Sequence, residues 1–204
     1  MTIHTLSRRR LVALAPAAFI ATTLLLSGCK DSPGTAASVQ AGSTPVSTAV
    51  IAAEAKGFTV GSAMSTRTVY VFFDAQCPHC TALWEAAKPL KSQAKFVWIP
   101  VGLLNASSTA QGATILAATD PVAAMDEHEA SMTAKRGGIS AGSGTDAQKD
   151  AVASNTALLT RLGFGSIPTI VGTHADTGAL VKQEGSVPTA ALASLLGLKV
   201  PASL

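Results

Sequence analysis

Two of the chain's three cysteines, Cys77 and Cys80, are separated only by Pro78 and His79. Such a pair can be a structural crosslink, half of a metal site, or a redox-active dithiol. A bond across so short a loop restricts the unfolded chain little, which disfavours the purely structural role. A zinc knuckle needs two more ligands with a spacing of their own, and only the scattered His128 and His174 are at hand. Covalent haem attachment needs histidine directly after the second cysteine, where Thr81 stands. The residues therefore favour a dithiol–disulfide couple, with no metal and no other cofactor expected.

That chemistry needs one sulfur to be a thiolate, and the flanking sequence supplies the position for it. "TVYVFFD" (Thr68 to Asp74) is β-branched and aromatic, the pattern of a strand buried on both faces. It leads into "PHCTALWEAAKPLKSQA", a helical stretch in which Pro89 predicts a kink. Cys77 thus opens a helix, beside unpaired backbone N–H groups and the positive end of the helix dipole. A free cysteine has a pKa of about 8.5, and in this setting the value falls to roughly 3.5 to 7.5, so Cys77 is expected to be mostly thiolate at neutral pH.

Cys80 lies one turn deeper on the same face, where it can close a disulfide with Cys77 or resolve a mixed disulfide made by it. Pro78 suits a first helical turn, and His79 brings a partly cationic imidazole beside the thiolate. Both features favour the reduced form. Stabilising that form raises the reduction potential, by about 30 mV per 1.4 kcal/mol. Asp74, three residues before Cys77, can either cap the loop or handle protons. Of the other candidates, His128 reads as a solvated helix-face residue and His174 as a turn residue. Trp84 and Trp98 read as core, and Phe72 and Phe73 as part of the buried strand.

"KFVWIPVGLL" is a second buried strand, and strand–helix–strand implies a right-handed crossover with parallel pairing. The pattern from Asn105 to Gly163 is helical. "STAQGATILAAT" is followed by "DPVAAMDEHEASMTAKRGG", where Asp120 can cap and Pro121 fits the first turn. "ISAGSGT" connects to "DAQKDAVASNTALLTRLGFG", a third helix closed by Gly163. Strand "IPTIVG", turn "THADTG", return strand "ALVKQEG" and helix "PTAALASLLG" follow. The predicted order is βαβ, a helical insertion at about 105–163, then ββα.

The chain has 204 residues, 48% hydrophobic and 13% charged, enough for one domain with a sizeable core. Arg8, Arg9 and Arg10 account for the net charge of +3, leaving 12 basic against 12 acidic residues. Without a basic stripe, nucleic acid is excluded as the main partner. Residues 1–28 read as an export signal, with a basic start and the apolar run "LVALAPAAFIATTLLL". That run is short for a membrane span and is interrupted by Pro16. "LSGC" resembles the bacterial lipoprotein box, which implies acylation of Cys29, and the following Lys30 favours the outer membrane. "SRRRLV" bears a faint resemblance to a twin-arginine signal. Residues 29–48 read as a flexible tether, spanning roughly 24 Å as a coil, and 49–204 as the domain. With Cys29 lipidated, Cys77 and Cys80 have only each other, which fits an oxidising, periplasmic compartment.

"CPHC" resembles the active-site tetrapeptide of periplasmic disulfide oxidases of the Dsb type. The wider "VYVFFDAQCPHCTALWEAAKPL" and "ILAATDPVAAMDEHEAS" are similar to the DsbG/DsbC branch of disulfide isomerases and sulfenic-acid reductases. The resemblance covers about Val69 to Leu196. It implies an α/β, thioredoxin-like fold with a helical insertion between the βαβ and ββα halves. It also implies a redox-active Cys77–Cys80 disulfide, and a cis-proline at Pro168 facing it. Ile167 would then contact the substrate backbone. The implied partners are exported cysteine-containing proteins and a membrane redox partner that recycles the pair.

Three features depart from the pattern. Val71 stands where the oxidase and thioredoxin branches place a buried acid, six residues before the first cysteine, so proton transfer needs another route such as Asp74 or water. Ile167 replaces the threonine of the DsbG/DsbC branch. The positions between Cys29 and Arg67 do not supply that branch's dimerisation domain, so a monomer is expected. The direction of electron flow stays open, since CPHC points to oxidation and its surroundings to reduction or isomerisation. Two other functions also stay open: a non-catalytic thioredoxin-fold chaperone or adaptor, and a copper-delivery lipoprotein.

Overall fold

The computed structural model describes residues 44–143, 145–200 and 202; the signal segment and Cys29 lie outside them. The elements in order are α1 (Thr48–Glu54), β1 (Phe58–Gly61), β2 (Thr68–Asp74), α2 (Pro78–Ala87), β3 (Lys95–Val101), α3 (Ala106–Ala117), α4 (Pro121–Thr133), α5 (Asp146–Arg161), β4 (Thr169–Thr173), β5 (Leu180–Glu184) and α6 (Thr189–Leu196). The five strands form one sheet in the order β1-β3-β2-β4-β5. β2 and β3 run parallel, in a register that pairs Val71 with Trp98, as the α2 crossover requires. β1, β4 and β5 pair antiparallel to their neighbours. The expected thioredoxin-like fold is present, with α3, α4 and α5 between its two halves.

β2 is buried on both faces because both are covered. Val69, Val71 and Phe73 join Trp84, Trp98 and Leu83 in one core, while Tyr70 and Phe72 join Ile51, Ile99, Leu158 and Leu159 in the other. Trp84 and Trp98 meet edge to face at 4.8 Å, and Phe73 stands 5.7 Å from Trp98. Each such side chain contributes about 1.5–3 kcal/mol when fully buried. These tryptophans are core residues, as their apolar neighbours in the sequence imply.

Several expectations need correction. α1 and β1 precede the predicted βαβ unit, and β1 pairs antiparallel with β3. β1 is short, and Gly61 closes it at φ +95, so it carried little periodic signal. The fold takes up the chain before the expected Thr48 boundary: the Thr44 N–H donates to the Arg161 carbonyl at 3.0 Å, and Ser47 caps α1. Pro89 does not kink a continuing helix. α2 ends at Ala87 and Pro89 sits in a 3-10 turn at Lys88–Leu90, where its missing N–H is tolerated. α4 begins as its sequence predicts, with the Asp120 carboxylate accepting from the Val122 and Ala123 N–H groups.

Candidate active site

Strand β2 delivers its last residue, Asp74, to the mouth of the crossover, and the chain turns there into α2. The Cys77 N–H donates to the Asp74 carbonyl at 3.0 Å, which closes the turn. Cys77 is the N-cap of α2, with extended backbone (φ −97, ψ 114) and no side-chain cap bond, so the first-turn N–H groups face its sulfur. Pro78 occupies the first helical position and is exposed with His79, while Cys80 is fully buried. Both cysteines are free thiols.

The two sulfurs are electrostatically unequal. Cys77 is lowered to about 6, chiefly because the Cys80 thiol donates to it, aided by the Cys80 and His79 backbone N–H groups and the His79 charge. Burial opposes this shift and loses. Cys80 is pushed far up, first by burial and then by its hydrogen bond and charge repulsion with Cys77. One thiolate and one held proton share the site at neutral pH.

The third wall comes from the far half of the fold. The Ile167–Pro168 peptide is cis, directly before β4, and the Cys77 sulfur lies 3.8 Å from the Ile167 carbonyl oxygen. The preceding turn is pinned by Glu184 on β5, whose carboxylate accepts from the Ser166 N–H at 3.0 Å and hydroxyl at 2.7 Å. Residues 90 apart in sequence thus meet at one sulfur. The structure brings Cys77, Pro78, His79, Cys80, Ile167 and Pro168 together.

Asp74 is fully buried and works as an anchor. One oxygen accepts from the Gln76 N–H at 2.8 Å, and the other from Leu103 and Leu104 at 2.7 and 3.0 Å. It ties the cysteine turn to the loop after β3. Val71, at the place of the missing acid, lies in the apolar core beside Phe73 and Trp98.

The helical insertion grips the same turn. His128 is not solvated: it is fully buried, its Nε2 is 2.6 Å from the Ala75 carbonyl and its Nδ1 accepts from the Ile139 N–H at 3.2 Å. That pair of bonds assigns a neutral ring protonated at Nε2. Gln76 donates to the Gln111 side chain at 2.5 Å, and Gln111 donates to the carbonyls of Gly137 and Ile139, both at 2.8 Å. Gly138, at φ +89, passes so close to the ring that an added Cβ would sit 2.4 Å from His128 Cε1. His174 lies in the β4–β5 turn, remote from this network, where it accepts from the Asp176 N–H.

α4 also packs along α2. Trp84 Nε1 donates to Asp126 at 2.9 Å, and Lys88 reaches Asp126 at 2.8 Å and Glu85 at 2.7 Å. Farther along, Glu129 of α4 is only 2% exposed and lies beside the Thr81 side chain. Burial raises its carboxyl to about 7 against the lowering influence of Thr81. Sequence reading singled out neither Glu129 nor Gln76 nor Gln111. A signal existed for Glu129: it interrupts the stripe Val122, Met125, Met132 at a position where helical spacing calls for an apolar residue. Among the described residues, no group of three or more His, Cys, Asp or Glu is arranged to hold a metal ion.

A dithiol at the head of α2, faced by a cis-proline at the start of β4 and roofed by an inserted helical layer, defines a thioredoxin-like fold. Its relatives are more particular. The chain is 34% identical over 143 residues to the thiol:disulfide interchange protein DsbG of Pseudomonas aeruginosa, covering 67% of this chain and 54% of that protein. It is 33% identical over 104 residues to the DsbG of Escherichia coli, covering 50% and 42%. The chain therefore spans about half the length of the curated relatives it matches. In fold it is similar to a periplasmic thioredoxin-like protein from Salmonella enterica serovar Typhimurium, with a TM-score of 0.57 at 16% identity over 76% of this chain and 97% of that one. No family model matches the chain.

Proposed function

We propose that the chain is an exported thiol:disulfide oxidoreductase that acts on cysteine-containing envelope proteins through Cys77 and Cys80. The observation that carries this reading is the split between the two thiols, one lowered to about 6 and the other pushed up, at a sulfur that touches the carbonyl before a cis-proline. A structural disulfide needs no such asymmetry.

In the reducing direction the Cys77 thiolate attacks one sulfur of a substrate disulfide, forming a mixed disulfide and expelling the other substrate sulfur as a thiolate. Cys80 then loses its proton and attacks the Cys77 sulfur. The Cys77–Cys80 bond forms, the second substrate thiolate leaves, and two electrons have passed to the substrate. The oxidising direction is the reverse, with a substrate thiolate attacking Cys77 of the disulfide. Stabilising the Cys77 thiolate favours the reduced pair and hence donation of the disulfide. Ile167 and Pro168 offer the substrate backbone an edge beside the sulfurs, and exposed Leu103 and Leu104 flank the Asp74 anchor. Asp74 enters as that anchor; proton handling by it would require release of a backbone N–H hydrogen bond.

The test is a Cys80→Ala chain expressed in the cell envelope. It should accumulate mixed disulfides through Cys77 with exported proteins, while Cys77→Ala with Cys80 intact should accumulate none. A trap variant with no adducts would sink the oxidoreductase reading and leave the chaperone or adaptor role. The potential of the wild-type pair sets direction: a value above that of glutathione supports donation, and one below supports reduction.

A further inference from the structure

The resolving step needs a place for the Cys80 proton, and the usual place, position 71, holds a valine packed in the apolar core. Asp74 has given its oxygens to three backbone N–H groups. A third acid is built against the pair from outside the central fold. α4 lies along α2 as a ladder: Asp126 meets Trp84 and Lys88, Met132 and Thr133 line a cleft with Pro78 and Thr81, and Glu129 lies between these two contacts, beside Thr81. Glu129 therefore sits over the residue that follows Cys80, whose own N–H reaches back to the Cys77 carbonyl at 3.3 Å.

Glu129 is 2% exposed, and its Oε2 has no hydrogen-bond partner. A buried carboxylate oxygen left unpaired is costly, and such cost is commonly offset by a role in catalysis. Lys88 does not discharge it, being engaged by Glu85 and Asp126. Glu129 lines, with Glu85, Lys88 and Asp126, an open depression of about 530 Å³ on the outer side of α4.

We propose that Glu129 is the proton-holding residue of the redox pair, taking the Cys80 proton by way of Thr81 when a mixed disulfide is resolved. This rests on the oxidoreductase reading above. In the mixed disulfide Cys77 carries no charge, so one of the influences that keeps Glu129 protonated is gone and the carboxylate is available as a base. It accepts the proton, the Cys80 thiolate attacks the Cys77 sulfur, and the substrate leaves as a thiolate. In the reverse direction Glu129 returns the proton to Cys80. The charged or titratable groups that face it are Cys77, Glu85 and Lys88 of α2 and its own helix neighbour Asp126. β1 and α3, which also pack on α4, contain none.

Stopped-flow reaction of the reduced full chain with dithiobis-nitrobenzoate separates the steps. The first aryl thiolate reports attack by Cys77, and the second reports resolution by Cys80. In the wild type, the second phase should accelerate as pH rises and level off at an inflection below about 7, since Glu129 ionises more readily once Cys77 carries no charge. Glu129→Gln should leave the first phase within about twofold, slow the second at least about tenfold, and abolish the inflection, while Glu129→Asp keeps it. Thr81→Val should slow the second phase alone. An unchanged second phase in E129Q, or equal slowing of both phases, overturns the proposal. If E129Q does not fold, an unaffected second phase in T81V overturns it. A wild-type chain that never releases the second thiolate overturns the oxidoreductase reading itself.

Discussion

Cys77 carries a charge that an unfolded thiol would not carry at neutral pH, and this ties its reactivity to the stability of the reduced protein. Its folded value of about 6 lies below the ordinary thiol value, so folding is helped wherever the unfolded thiol holds a proton that the folded one has lost. That help is complete above the ordinary thiol value, shrinks as pH falls toward about 6, and is gone below it. The reduced form should therefore resist urea better than the disulfide form at pH 8 and lose that advantage by about pH 5. Alkylation of Cys77 by iodoacetamide should follow a sigmoid centred at about 6. Equal urea midpoints for the two forms at every pH would refute the thiolate assignment. This much was legible in the sequence, because a helix N-terminus, a proline and a histidine are local. His128 and Glu129 were not, since their partners lie far along the chain: Ala75 is 53 residues from His128.

At the scale of elements, the inserted helices do more than cover the sheet. His128, Gln111 and the Gly137–Ile139 loop hold the turn that carries Cys77, and the neutral imidazole is the centre of that hold. His128→Ala leaves a buried carbonyl and an N–H unpaired and opens a cavity, which should cost roughly 3 kcal/mol in urea unfolding. A loss below about 1 kcal/mol would show that the contacts are dispensable. Burial also holds the ring's pKa down, so the folded state resists a proton that the unfolded state accepts. The resulting stability is full above the ordinary histidine value of about 6.5 and declines as pH falls below it. The helices themselves were legible from caps and periodicity, Asp120 and Pro121 most clearly. α1 and β1 were not, because a seven-residue helix and a four-residue strand hold too few turns or alternations to show a period.

For the whole molecule, one central sheet makes the described residues a single working unit, and the lipoprotein-box reading of Cys29 is open to a direct test. Cys29→Ala should release the chain from envelope membranes into the soluble fraction, where it should sediment as a monomer; retention of C29A in the membrane would remove lipidation from the reading. The order β1-β3-β2-β4-β5 leaves β1 and β5 each paired on one side only. Under the proposed function, which has other chains' backbones docking beside β4, such open borders carry a risk of stacking with further copies. Here those borders are four and five residues long. One stops at Gly61, whose left-handed turn brings it against the Lys91 carbonyl, and the other bears Lys182 and Glu184. Brevity and charge make both poor templates for further strands, so the strand binding proposed at the sulfurs would not extend to the margins of the sheet.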